Sequence, residues 1–81
     1  MGKLLTLYTR KDCPLCEELA DAVHALIAES EHNVERVDVD ADPSLKEKYG
    51  WDVPLLFDGD TEICRHQLDR PVFREWLRVN P

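Results

Sequence analysis

Two cysteines, Cys13 and Cys16, sit in the stretch TRKDCPLCEEL (residues 9–19), where an apolar, strand-like run gives way to a helical pattern. A thiol pair at this spacing supports three kinds of chemistry. It can cycle between dithiol and disulfide, supply half of a tetrahedral metal site, or fill a core. Side chains at i and i+3 of a first helical turn have Cβ atoms about 5–6 Å apart. A disulfide needs about 3.5–4.5 Å, so a small local adjustment closes the ring.

The two sulfurs are not equivalent. Cys13 lies at the helix start, beside unpaired backbone N–H groups and the positive end of the dipole. Arg10 and Lys11 add positive charge. All three favour the thiolate over the thiol; Asp12 opposes them unless it is occupied as the helix cap. Cys16 falls on the apolar stripe with Leu19, Ala20, Val23 and Ile27, which predicts a shielded, protonated sulfur. On the redox reading Cys13 attacks a substrate disulfide and Cys16 resolves the mixed disulfide. Pro14 and Leu15 fill the gap and set how easily the ring forms.

A third cysteine, Cys64, has three readings: a second redox partner for Cys13, a small apolar filler, or a metal ligand. In the last case Cys13, Cys16, Cys64 and His66 form a three-cysteine, one-histidine set, helped by the same-face spacing of Cys64 and His66 on a strand. Trp51 either flanks the thiol groove or covers the core. His24 and His32 are expected in solvent, and Trp76 in the core. The acids of DVDADP (residues 38–43) lack the glycine and distal glutamate of a calcium loop and read as a strand exit with a helix cap.

The elements that must position these groups follow from periodicity. LLTLYT (4–9) is a buried strand, and a helix runs from Pro14 until it frays near Ser30. NVERVDVD (33–40) alternates as a half-exposed strand; Asp42 caps and Pro43 opens a short helix through Leu45 and Tyr49, stopped by Gly50. VPLLF (53–57) and TEICRH (61–66) are strands joined at Gly59 by a hairpin turn. A last helix starts at Pro71 with the stripe Val72, Phe73, Trp76, Leu77.

This order, β-α-β-α-β-β-α, predicts a right-handed parallel opening unit, an antiparallel hairpin and therefore a four-stranded mixed α/β sheet flanked by helices. The charged strands at 33–40 and 61–66 are the expected edges. All of it fits one domain over residues 1–81.

The chain carries 10 Lys and Arg against 17 Asp and Glu, a formal charge of −7. That argues against a protein that binds nucleic acid by neutralising phosphates. Three cysteines suit a reducing compartment rather than a secreted disulfide framework. The opening apolar run is too short for a signal peptide, and nothing approaches the ~18 apolar residues of a membrane span. Gly2 with Thr6 satisfies the loose myristoylation pattern, but the segment reads better as the first strand. The expectation is a soluble cytoplasmic monomer.

Taken together, LYTRKDCPLC at the first strand–helix junction, WDVPLLF at the third strand and the closing hairpin and helix make the chain resemble small glutaredoxin-like proteins along nearly its whole length. The resemblance implies the thioredoxin fold and a thiol–disulfide oxidoreductase working in electron transport and cell redox homeostasis. It also implies a cis Val53–Pro54 bond facing the cysteines, with residue 53 offering its backbone to an extended substrate. Lys11 matches a lysine that faces the carboxylate of glutathione, and Asp69 loosely matches an acidic residue. The chain departs from the pattern at Leu15, where a tyrosine is usual, and at Cys64 and Arg65, which replace a Gly-Gly pair. The implied substrate contacts are Lys11, Leu15, Trp51, Val53, Pro54 and Arg65. The partners are a disulfide-containing protein and, as electron donor, glutathione or a thioredoxin reductase; no bound cofactor or metal is expected.

Overall fold

The computed structural model describes residues 2–81. The chain runs β1 (Leu4–Thr9), α1 (Pro14–Ile27), β2 (Asn33–Asp38), a 3-10 turn (Val39–Ala41), α2 (Pro43–Tyr49), β3 (Leu55–Asp58), β4 (Thr61–Arg65) and α3 (Arg70–Val79). The sheet order is β2-β1-β3-β4. β1 pairs parallel with β2, and the β1–β3 and β3–β4 pairs are antiparallel. The predicted mixed sheet, its two charged edges and the positive φ of Gly59 (59°) are all present.

Alternation along the strands builds two unequal faces. Leu5 and Leu7 of β1, with Leu56 and Cys64, meet Leu19, Ala20, Val23 and Ile27 of α1 and Phe73 of α3 in the main core. Burying each such Leu, Val or Phe side chain is worth about 1.5–3 kcal/mol, so α1 is held chiefly by this stripe. On the opposite face Tyr8 stacks on Tyr49 of α2, with ring centroids 4.7 Å apart, and meets Phe57 edge-on at 5.5 Å. A register shift in the β3–β4 pair between Leu56 and Phe57 leaves Ile63 without an opposite number. It lets the adjacent Ile63 and Cys64 both pack toward the core.

Several expectations need correction. β2 stops at Asp38, whose carboxylate accepts the N–H of Asp40 at 2.9 Å and turns the chain, so Val39 is buried from a 3-10 turn. β3 starts at Leu55 rather than Val53, and β4 ends at Arg65 because His66 adopts φ 70°. Gly50 ends α2 without a left-handed turn; its role is room, since a Cβ there would lie 2.4 Å from the Lys46 carbonyl oxygen. Val72 is exposed, while Trp76 is half-buried against the core.

His32 is not in solvent. Its ring is buried, with Nδ1 accepting the Lys3 N–H at 3.0 Å and Nε2 donating to the Asn80 carbonyl at 2.6 Å. The ring also lies 4.8 Å from that of Trp76, so the histidine joins the start of β1 to the end of α3.

Candidate active site

The C-terminal end of β1 delivers the chain to the cysteine pair. Cys13 is the N-cap of α1 with extended backbone (φ −116°, ψ 99°), and Pro14 occupies the first turn, where a missing N–H costs nothing. The Cys13 sulfur accepts the backbone N–H of Cys16 at 3.2 Å. The two residues are joined as a disulfide, with Cα atoms 5.2 Å apart. Cys13 is half-buried and Cys16 fully buried, the asymmetry the apolar stripe predicts.

The charges around the pair differ from expectation. Asp12 is not the cap; it takes a left-handed conformation, φ 55°, and hands the capping position to the cysteine. Lys11 is exposed. Arg10 is committed elsewhere, gripping both oxygens of Asp40 and the carbonyl of Gly50.

Opposite β1, the antiparallel register sets Tyr8 against Leu55, so Val53 and Pro54 fall at the same end of the sheet as Arg10 and the cysteine turn. The Val53–Pro54 bond is cis, as the resemblance implied, with Pro54 buried. The Pro54 carbonyl accepts the His66 N–H at 2.7 Å. Asp52 lies 3.4 Å from Arg65 and 3.5 Å from His66, which ties this segment to the end of β4. Trp51 is 94% exposed, so it covers no core, and Leu15 is also exposed. A shallow groove of about 190 Å³ runs from Leu15 and Glu18 to His66, Gln67 and Arg70.

The four-ligand metal set does not form. Among the described residues no three His, Cys, Asp or Glu side chains converge on a common point. The positive φ of His66 breaks the alternation that would have put it on the face of Cys64, and its ring turns to Asp52 instead. Cys64 occupies the filler's position in the core, and burial pushes its thiol pKa up, against any role as a second thiolate. Arg65 is held by Glu62, at 2.8 and 2.6 Å, as well as by Asp52.

Sequence reasoning missed the Arg10 fork and the Asp52–His66 contact. Both join residues far apart in the chain through exposed side chains, for which periodicity carries no signal.

A cysteine pair at a β1–α1 junction, with a cis proline at the head of β3 in a β2-β1-β3-β4 sheet, defines a protein of the thioredoxin fold. Thioredoxin 1 from Thermosipho africanus TCF52B superposes with a TM-score of 0.62 over 94% of this chain and 96% of its own, at 18% identity. More specifically, the chain belongs to the family described as glutaredoxin-like domain (DUF836), which matches residues 4–78. It is similar to protein Ne2328 from Nitrosomonas europaea, at 31% identity and TM-score 0.82, covering 94% of this chain and 92% of that one. It is also similar to protein XcR50 from X. campestris, at 35% identity and TM-score 0.69, covering 95% and 99%. No curated protein matches the chain.

Proposed function

We propose that this protein is a dithiol-type thiol–disulfide oxidoreductase that reduces protein or mixed disulfides. One observation carries the reading: Cys13 caps α1 with its sulfur while Cys16 is buried one turn deeper, within bonding distance.

In the reduced protein the Cys13 thiolate is favoured by the Cys16 N–H and by the other free amides of the first turn. It attacks one sulfur of the substrate disulfide, forming a mixed disulfide and expelling the other sulfur as a thiolate that takes up a proton. Cys16 then loses its proton and attacks the Cys13 sulfur, which breaks the mixed disulfide and releases the second substrate thiol. Two electrons have moved from the protein to the substrate, and the Cys13–Cys16 disulfide remains. Two molecules of glutathione, which leave as their own disulfide, or the reduced dithiol of a thioredoxin reductase, which becomes oxidised in turn, return it to the starting state.

The surroundings fit a disulfide-bearing polypeptide as substrate. Leu15 and Trp51 give the rim exposed apolar area, and Val53 precedes β3 with its backbone outside the ladder. Lys11 supplies an exposed cation two residues before Cys13 in the chain.

Reduction of insulin, and of a cysteine–glutathione mixed disulfide, tests this, with electrons supplied by glutathione in one arm and by thioredoxin reductase in the other. The wild type should turn over in one arm or both, and Cys13→Ser in neither. A wild-type protein that cannot cycle, or a Cys13→Ser variant as active as wild type, overturns the reading.

A further inference from the structure

The geometry points to Arg10 as a positioning residue for the exchange reaction: it holds the Trp51–Pro54 segment at a set distance from Cys13. The inference rests on the oxidoreductase reading above and adds a residue to it.

Arg10 follows the last residue of β1 and precedes the cysteine turn. All of its guanidinium nitrogens are in use. Nε donates to one oxygen of Asp40 at 3.0 Å and Nη2 to the other at 2.6 Å. Nη1 donates to the Gly50 carbonyl at 3.1 Å. Both acceptors are themselves held. The Asp40 N–H is bound by the Asp38 carboxylate at 2.9 Å, and Lys46 lies 3.9 Å from its side chain. Gly50 is buried and donates its N–H to the Lys46 carbonyl at 2.9 Å.

Gly50 is the residue before Trp51, so the fork fixes the near end of the segment that runs to the cis Pro54. Asp52, at Arg65 and His66, and the Pro54 carbonyl, at the His66 N–H, fix the far end. The segment thus spans two anchors, one of them covalently next to the cysteine turn. Since the charge of Arg10 is matched at contact by Asp40, its influence on Cys13 runs through position and not through field.

The three contacts leave from three different nitrogens of a rigid plane. A lysine ammonium places its donors on one atom of a shorter head and cannot span both carboxylate oxygens and the carbonyl in that geometry. Arg10→Lys therefore keeps the charge and breaks the link. The test compares wild type, Arg10→Lys, Arg10→Ala and Asp40→Asn as full chains, with folding checked by circular dichroism. Three quantities are read: amide hydrogen exchange over residues 51–53, KM and kcat for a disulfide-bearing peptide, and the pH midpoint of Cys13 alkylation. In Arg10→Lys, exchange should quicken and KM rise about tenfold, the scale of one lost hydrogen bond to a charged donor. The kcat and the alkylation midpoint should hold.

Unchanged exchange and KM in Arg10→Lys overturn the inference, leaving a plain surface ion pair. A rise in KM matched by a displaced alkylation midpoint also overturns it, because Arg10 then acts through its charge. If Arg10→Ala does not fold, Arg10→Lys and Asp40→Asn decide. A wild type without reductase activity sinks the oxidoreductase reading and this role with it, whereas an active wild type beside an unaffected Arg10→Lys sinks this role alone.

Discussion

The sulfur of Cys13 accepts the backbone N–H of Cys16, so the attacking thiol is itself the cap of the helix that carries its partner. A residue type rarely chosen to cap a helix stands where Ser, Thr, Asp or Asn would be expected. The cap satisfies an amide left over by the helix and, in the reduced protein, stabilises negative charge on the sulfur.

In the reduced state Cys13→Ser should therefore abolish turnover while keeping the helix, because serine is a good cap. Cys13→Ala should lose turnover and also about 1 kcal/mol of stability. Urea denaturation of both variants under reducing conditions, beside the reductase assay, checks the pair. A stability loss in Cys13→Ser as large as in Cys13→Ala would remove the capping argument.

Cys16→Ser should stop the cycle one step later. With the buried resolving thiol gone, the mixed disulfide on Cys13 persists, and mass spectrometry of the reaction should show the substrate covalently attached. No adduct, with turnover intact, would mean that Cys16 resolves nothing.

Cys64 is 7% exposed and burial raises its thiol pKa. In the reduced native protein it should resist iodoacetamide near neutral pH and react once urea unfolds the chain. Cys64→Ala should leave the reductase rate as it is and cost about 1 kcal/mol. Labelling of Cys64 as fast as Cys13 would restore it as a redox candidate.

His32 fills a buried position with both ring nitrogens bonded. His32→Ala leaves the Lys3 N–H and the Asn80 carbonyl without partners, and should destabilise the fold by about 2–3 kcal/mol. The alkylation midpoint of Cys13, at the other end of the sheet, should not move.

Asp58 accepts the Trp76 indole N–H at 2.9 Å and an ammonium hydrogen of Lys3 at 3.0 Å. The indole bond first, and the Lys3 contact after it, hold its carboxyl below the usual carboxylate range, against the opposing effect of burial. A carboxyl so held contributes stability that is complete above the unfolded pKa, about 4, and is lost as pH falls through the lower folded value. Trp76→Phe should cost about 2 kcal/mol at pH 7. Its deficit should narrow as pH drops from 4 toward 2, and thermal melts across that range measure it. A deficit independent of pH would assign the loss to packing alone.

Most of the architecture was legible in the chain because it rests on local rules. The apolar, β-prone run at residues 4–9 and the stripe from Cys16 to Ile27 each state a surface that must be buried. Asp42-Pro43 and Gly59 mark a helix start and a turn through their own backbone preferences. The limits of β2 and β4 were not legible. The end of β2 is set by a local turn, the Asp38 carboxylate on the Asp40 N–H, which the alternating apolar pattern through Val39 masks. The end of β4 is set by the left-handed His66, which is held by Pro54 and Asp52 from another segment.

The same division runs through the site. Residue order alone determined that two thiols share a helix start and that one is shielded, because i and i+3 spacing and apolar periodicity are properties of a single segment. Which charges attend those thiols was decided only when β1, the 3-10 turn and the end of α2 came together. That assembly turned Arg10 from a neighbour of the sulfur into a brace for the Trp51–Pro54 segment, and sent His66 to Asp52 instead of toward Cys64. Long polar side chains find their partners across distances that no repeat in the chain records, and only the packed backbone selects among them.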